Sequence, residues 1–223
     1  MHAIITDGSI SKYINYPKSL VIGDVRYPAR IFSVWTASEL AAIGIIEVTY
    51  DNANKKDEKY YINTNQTFTY DADAGTVTAA YGSATDKAHA DVAEVWSQDE
   101  IDDGYAPNGT SADDPKNDVD GNQIITRGLK YNFIQTIKAQ AESLLNQTDW
   151  YITRKAEKNT AIPSAVTTWR NGIRTKQAAM ETLITNASNT AAIETLYTYV
   201  NTADEGDPEV IERPLGEFPE LGS

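Results

Sequence analysis

The side chains that could do acid–base or ligand chemistry are few in this chain, and their spacing suits that chemistry poorly. His2 and His89 stand apart, with no nucleophile or acid in a paired motif beside either, so both read as exposed surface histidines. Asp99-Glu100 and Asp102-Asp103 could supply the acid and base of glycosidic cleavage. They lie in a run of mutually repelling charge, and no apolar pocket is predicted nearby to separate their pKa values, so no catalytic pair is assigned. Asp118, Asp120 and Gly121 fit the middle of a helix-loop-helix calcium loop. Lys116 stands where its first Asp should be and Arg127 where the closing Glu should be, and the motif fails. Asp71, Asp73 and Gly75 read as turn residues. Arg170 and Arg174, one helical turn apart, could hold phosphate; against that, they border the stripe Trp169-Ile173 and can pair with nearby acids. The chain has no cysteine, which removes disulfides and thiolate zinc sites. Catalytic, cofactor-binding and metal residues are all read as none.

Two helices dominate the elements that would position any site. Leu129, Phe133, Ile137, Ala141, Leu144 and Leu145 recur at steps of three and four, which puts them on one helical face. Val166, Trp169, Ile173, Met180 and Leu183 keep the same period after Pro163-Ser164, a helix entry. Asp149 to Ser164 reads as a connector, too rich in Thr, Asn, Lys and Pro for an unbroken helix, with Trp150, Tyr151 and Ile152 pinning it to the pair. A third helix is expected from about Thr190 to Asn201, with Ile193, Leu196, Tyr197 and Val200 on one face.

The N-terminal third is strand-rich. Thr36-Ala37-Ser38-Glu39 fits a capping box, so a short helix should run to about Ile43 and end at Gly44, with a strand from Ile45 to Tyr50. Phe68 and Tyr70, then Val77, Ala79 and Tyr81, alternate with threonines across DADAG and predict a hairpin. Gly23-Asp24 predicts a tight turn. The fold class is therefore α+β: a small strand-rich domain over 1–83, an acidic irregular arm over 84–121, an antiparallel helical hairpin or three-helix unit over 122–202, and an extended, proline-rich acidic tail over 203–223. Val210, Ile211, Leu215, Phe218 and Leu221 are spaced along the tail like side chains that drop into a partner's groove.

Charge is segregated within a net of −13. Residues 86–121 carry eleven acids and two bases, whereas 122–186 carry nine bases and four acids. The acidic run is either a solvated segment or one that lies across a basic helical surface, its own or a neighbour's. The net charge argues against broad binding of nucleic acid. The opening residues lack a basic region followed by an apolar run, and no apolar stretch of about 18 residues occurs, so no classical signal and no membrane span is expected.

The block SLLNQTDWYITRKAEKNTAIPSAVTTWRNGIR resembles the C-terminal module of tailed-bacteriophage tail proteins, a group that includes tail-fibre assembly chaperones and virion proteins of marine phages. The matching parts are Asp149-Trp150 after a helix ending in Leu-Leu, Arg154-Lys155, Ala161-Ile162-Pro163 and Trp169-Arg170. A weaker match is RYPARIFSVWTASELAAIGIIEVTY, Arg26 to Tyr50, which is similar to an entry domain upstream in such proteins. The resemblance implies a non-enzymatic structural protein of the phage tail, fibre or baseplate, located in the virion, contacting other tail or fibre proteins and forming a homo-oligomer there. The alternative it leaves open is a tail-fibre assembly chaperone that binds the fibre tip. The partner-binding residues expected are Trp150, Tyr151, Arg154, Phe218 and Leu221.

Overall fold

The computed structural model describes residues 1–222. The chain is mixed α+β and divides into two compact units, Met1–Thr85 and Asp86–Ser223.

The first unit is built on a five-stranded sheet. Strands β1 (His2–Thr6) and β2 (Ser9–Ile14) form a hairpin around Asp7-Gly8, whose φ values of +50° and +73° suit a two-residue turn. A second hairpin, β3 (Leu20–Ile22) and β4 (Val25–Tyr27), turns at Gly23-Asp24. Two short helices follow, α1 (Ile31–Val34) and α2 (Ala37–Ala42). The α2 capping box is reciprocal: the Thr36 amide donates to Glu39 at 2.7 Å and the Glu39 amide donates to the Thr36 hydroxyl at 3.3 Å. Gly44, at φ +78°, ends the turn after α2. A Cβ there would sit 2.8 Å from the Ile5 carbonyl oxygen, so the position requires glycine twice over.

Strand β5 (Ile45–Asp51) pairs antiparallel with β1, and after the short β6 (Tyr61–Ile62) the hairpin β7 (Thr67–Asp71) and β8 (Thr76–Ala80) joins β5 through a parallel β8. The resulting order is β2-β1-β5-β8-β7. Tyr13 of β2 and Phe68 of β7 bring their rings to 4.7 Å, so the two edges approach and the sheet curls into a half-barrel. One face packs Ala3, Val48, Val77 and Ala79; the other packs Ile31, Leu40 and Ile45. Two of the seven, Ala3 and Ala79, are alanine, so the first face buries little apolar area and gains correspondingly little stability. His2 is half-buried against Phe32, ring centroids 5.0 Å apart, not exposed as its sequence context suggested. Burial, followed by the nearby N-terminal charge, lowers its pKa.

The second unit opens with β9 (Thr85–Asp86), which straddles the division, and then departs from the irregular arm expected over 84–121. Strand β10 (Val92–Ala93) pairs with β11 (Ile125–Thr126), and the ladder continues through Glu94 N–H to Ile124 O, Lys116 N–H to Glu94 O and Ile124 N–H to Lys116 O. Helix α3 (Gln98–Asp102) starts at a second capping box, Ser97 with Glu100. Order here comes from backbone pairing and local caps, signals that hydrophobic period does not carry. His89 is half-buried, again unlike its expected exposure, and its carbonyl accepts from the Lys130 amide.

Helices α4 (Leu129–Asn146) and α6 (Ser164–Asn186) are antiparallel: Lys130 near the start of one reaches the Thr185 carbonyl near the end of the other, and Arg170 reaches Leu145. Ile137, Ala141, Ile173, Met180 and Ile184 are at most 1 % exposed between them. The connector read over Asp149 to Ser164 is not one unbroken helix, but its first ten residues form helix α5 (Asp149–Lys158). Asp149 in its first turn and Lys155 and Lys158 in its last complement the helix dipole, and Asn159 ends it in the left-handed conformation at φ +51°. Helix α7 (Thr190–Tyr197) stops short of Asn201; Val200 belongs instead to β12 (Val200–Asn201), paired with β13 (Ile211–Glu212).

The tail is not free. Leu215 is fully buried, and Phe218 packs against Ala141, Trp169 and Ile173.

Candidate functional site

Helices α4, α5 and α6 are fastened by one buried arginine. Arg170, 7 % exposed, donates through Nη1 to the Leu145 carbonyl and to the Thr148 hydroxyl, both at 2.7 Å, and pairs through Nη2 with Asp149 at 2.8 Å. Leu145 lies in the last turn of α4, Thr148 stands at the N-cap position of α5, and Asp149 begins that helix. The guanidinium therefore adds charge-assisted hydrogen bonds to a helix-end carbonyl that also accepts from the Thr148 amide and hydroxyl, to that buried hydroxyl, and to a first-turn carboxylate. The sequence-level choice between phosphate binding and pairing with acids is decided for Arg170: its donors are committed inside the chain. Trp169, its neighbour, points to the other side, where its indole N–H donates to the Pro219 carbonyl at 2.8 Å.

Asp149 reaches Arg170 from the surface, and the helix that it begins lies exposed. Trp150 is 51 % exposed and Ile152 44 %, and not one residue of α5 is buried. Trp150 and Tyr151 stack with ring centroids 3.7 Å apart at 30°, and Arg154 lies over both, 4.8 Å from one ring and 5.0 Å from the other. A guanidinium over two rings is attracted by their negative faces. The Arg154 Nε is enclosed there with no hydrogen-bond acceptor. The result is a preassembled surface of two aromatic rings and a cation, continued by Lys155 and Lys158 at the end of the helix. Trp, Tyr and Arg are the residue types that anchor protein interfaces, because they bury large area at low entropic cost.

The five residues expected to bind a partner are thus separated by the structure. Trp150, Tyr151 and Arg154 form one surface. Phe218 is packed within the chain's own helical unit, and Leu221 is 48 % exposed beyond it. Val210 and Ile211 remain exposed at 44 % and 52 %.

The chemistry-bearing residues elsewhere are committed to structure. Glu100 pairs with Lys116 at 2.6 Å and caps α3; Lys116, then the Ser97 amide and hydroxyl, bring its pKa down to about 2. Asp118 accepts from the amides of Asp120 and Asn122, both at 2.9 Å, and those turn contacts hold its carboxyl below its ordinary range. Asp91, which sequence reading passed over, accepts from the Gly128 amide at 2.9 Å and from Arg127 at 2.6 Å, and both lower its pKa. Among the described residues no group of three or more His, Asp or Glu side chains could hold a metal ion. Nor is any helix of these residues long and apolar enough to cross a membrane.

No family model matches the chain, and no curated protein or solved structure does either.

Proposed function

We propose that this chain is a non-enzymatic structural protein of a bacteriophage tail, tail fibre or baseplate, working through contacts between subunits in the virion. The observation that carries the contact role is helix α5, a ten-residue helix with no buried residue that presents Trp150, Tyr151 and Arg154 as one surface. A helix of that length gains little from backbone propensity alone and is marginal unless a face of it is covered. The phage setting is supported by the likeness of the Asp149-Trp150, Arg154-Lys155 and Trp169-Arg170 pattern to the helical module of such tail proteins. A non-enzymatic role is supported by the carboxylates of the acidic segment: Glu100, Asp118 and Asp91 are spent on caps, turns and ion pairs.

Quantitative mass spectrometry of purified particles tests the proposal. The expected result is this chain at a fixed copy number, in simple ratio to a major tail protein. A chain abundant in infected cells and missing from particles contradicts the structural role and favours a tail-fibre assembly chaperone.

A further inference from the structure

The first unit holds a pocket whose charge runs against that of the whole protein. It occupies about 440 Å³ between one face of the β1–β2 hairpin and the β3–β4 hairpin. Ile4 and Ile14, both buried, and half-buried Leu20 form its floor. Lys12, Lys18 and Arg26 form its rim, and no acid lines it. Register explains the arrangement. Ile4 is the partner of Lys12 across β1–β2, Ile14 lies two residues on and so on the same face, and Arg26 is paired with Val21 on the opposite hairpin. Among the described residues none of the three cations is in an ion pair. In a chain of net charge −13, three cations left without a carboxylate around an apolar hollow need an explanation from outside the unit.

The same chain carries a segment of matching chemistry. Between β12 and β13 runs the loop ADEGDPE, with Asp204, Glu205, Asp207 and Glu209, all exposed and, among the described residues, in no ion pair. The Asn201 side-chain oxygen accepts from the Ala203 amide at 3.1 Å and the Val210 amide at 3.0 Å, which ties the loop's two ends together and presents its acids outward. Exposed Val210 and Ile211 follow at once, offering apolar groups to an apolar floor.

We propose that the pocket rimmed by Lys12, Lys18 and Arg26 is a docking site for the Asp204–Glu209 loop of a second copy of this chain. The inference rests on the reading of the protein as an assembling subunit and names the contact. Pocket and loop are different surfaces, so the contact is head-to-tail and propagates into a ring or an open filament instead of closing as a two-fold dimer. Complementary charge also fixes which end meets which.

The test is a charge swap on the full-length chain, followed by sedimentation velocity over a concentration series. One variant carries Lys12→Glu, Lys18→Glu and Arg26→Glu; the other carries Asp204→Lys, Asp207→Lys and Glu209→Lys. Five of the six positions are exposed and Lys18 is half-buried, and circular dichroism checks that both variants fold. The wild type is expected to self-associate at on the order of 100 µM, and each variant alone to associate at least about tenfold more weakly. Mixing the two in equal amounts restores assembly, because each reversed pocket then meets a reversed loop. Salt at about 0.5 M weakens the wild-type assembly, as screening requires. Wild-type protein that stays monomeric, variants that assemble as the wild type does, or a mixture that fails to recover overturns the proposal. If the chain is nonetheless present in particles at fixed copy number, the structural reading stands and only this contact falls.

Discussion

The helical pair α4–α6 and the excursion over residues 87–128 belong to one compact unit, yet they are held by opposite means. The helices bury a stripe of large apolar side chains, Ile137, Ile173, Met180 and Ile184 among them, each at most 1 % exposed. In the excursion Val92, Val95 and Val119 stay exposed, and its order rests on a short ladder, a capping box and turn carboxylates. Apolar burial contributes about 25 cal/mol per Å², whereas exposed hydrogen bonds trade against water and contribute about 1 kcal/mol or less each. The difference teaches that the hairpin should melt as a unit, and that the excursion should open locally at far lower cost.

Substitutions inside the helical pair should have the largest effects. Ile173→Ala is expected to lose about 2–5 kcal/mol through lost transfer energy and the cavity left behind, read by urea denaturation with an unchanged slope. Arg170→Ala should follow at about 2–4 kcal/mol, since it removes three charge-assisted hydrogen bonds at once, to the Leu145 carbonyl, the Thr148 hydroxyl and the Asp149 carboxylate, and leaves a hollow where the buried guanidinium was. Arg170→Lys should recover only part of this, because an ammonium cannot reproduce the planar fork.

Where the two regions join, Gly128 should give an intermediate effect. A Cβ there would lie 2.2 Å from the Ala90 carbonyl oxygen, so Gly128→Ala must push residues 88–91 away from the start of α4. Amide exchange should then quicken at Leu129 and Lys130, whose N–H groups donate to Ala88 and His89, while α6 amides keep their protection. Loss of α6 protection as well would mean that the excursion supports the hairpin, and the contrast would fail.

The smallest effect should be acid-dependent and confined to the excursion. Glu100 has its pKa lowered from 4.5 to about 2 by Lys116 and the Ser97 cap. A carboxylate depressed in the folded state adds stability above its unfolded pKa and loses it as pH falls through the folded value. Between pH 4.5 and about 2 the amides of α3 should therefore lose protection first, and Glu100→Gln should flatten that dependence.

How much was legible follows the same division. The faces of α4 and α6, the Thr36–Glu39 box and the β7–β8 hairpin were readable, because each rests on a period or a spacing that survives in one dimension, except at the end of α6, where Leu183 is 40 % exposed and Ile184 is buried instead. The β1–β2 turn is marked in the sequence by Asp7-Gly8, a pair that favours two-residue hairpin turns. Helix α5 was read as a connector because its Thr and Lys content hid a ten-residue helix fastened at Asp149 by Arg170, a contact 21 positions away in sequence. The ladder of the excursion has no apolar alternation to betray it. Within the candidate site, the sequence names Trp150, Tyr151 and Arg154 but not the stacking that brings their side chains together. The fate of Phe218 depended on where Trp169 and Ala141 come together, which one-dimensional spacing does not give.

The central claim is that α5 is a contact surface and not a structural necessity. Its most direct test is the double variant Trp150→Ala, Ile152→Ser, compared with wild type for melting temperature and for copies per purified particle. The variant is expected to keep stability within about 0.5 kcal/mol of wild type, as for exposed positions, and to lose incorporation. A variant that unfolds earlier, or that enters particles at the wild-type copy number, contradicts it.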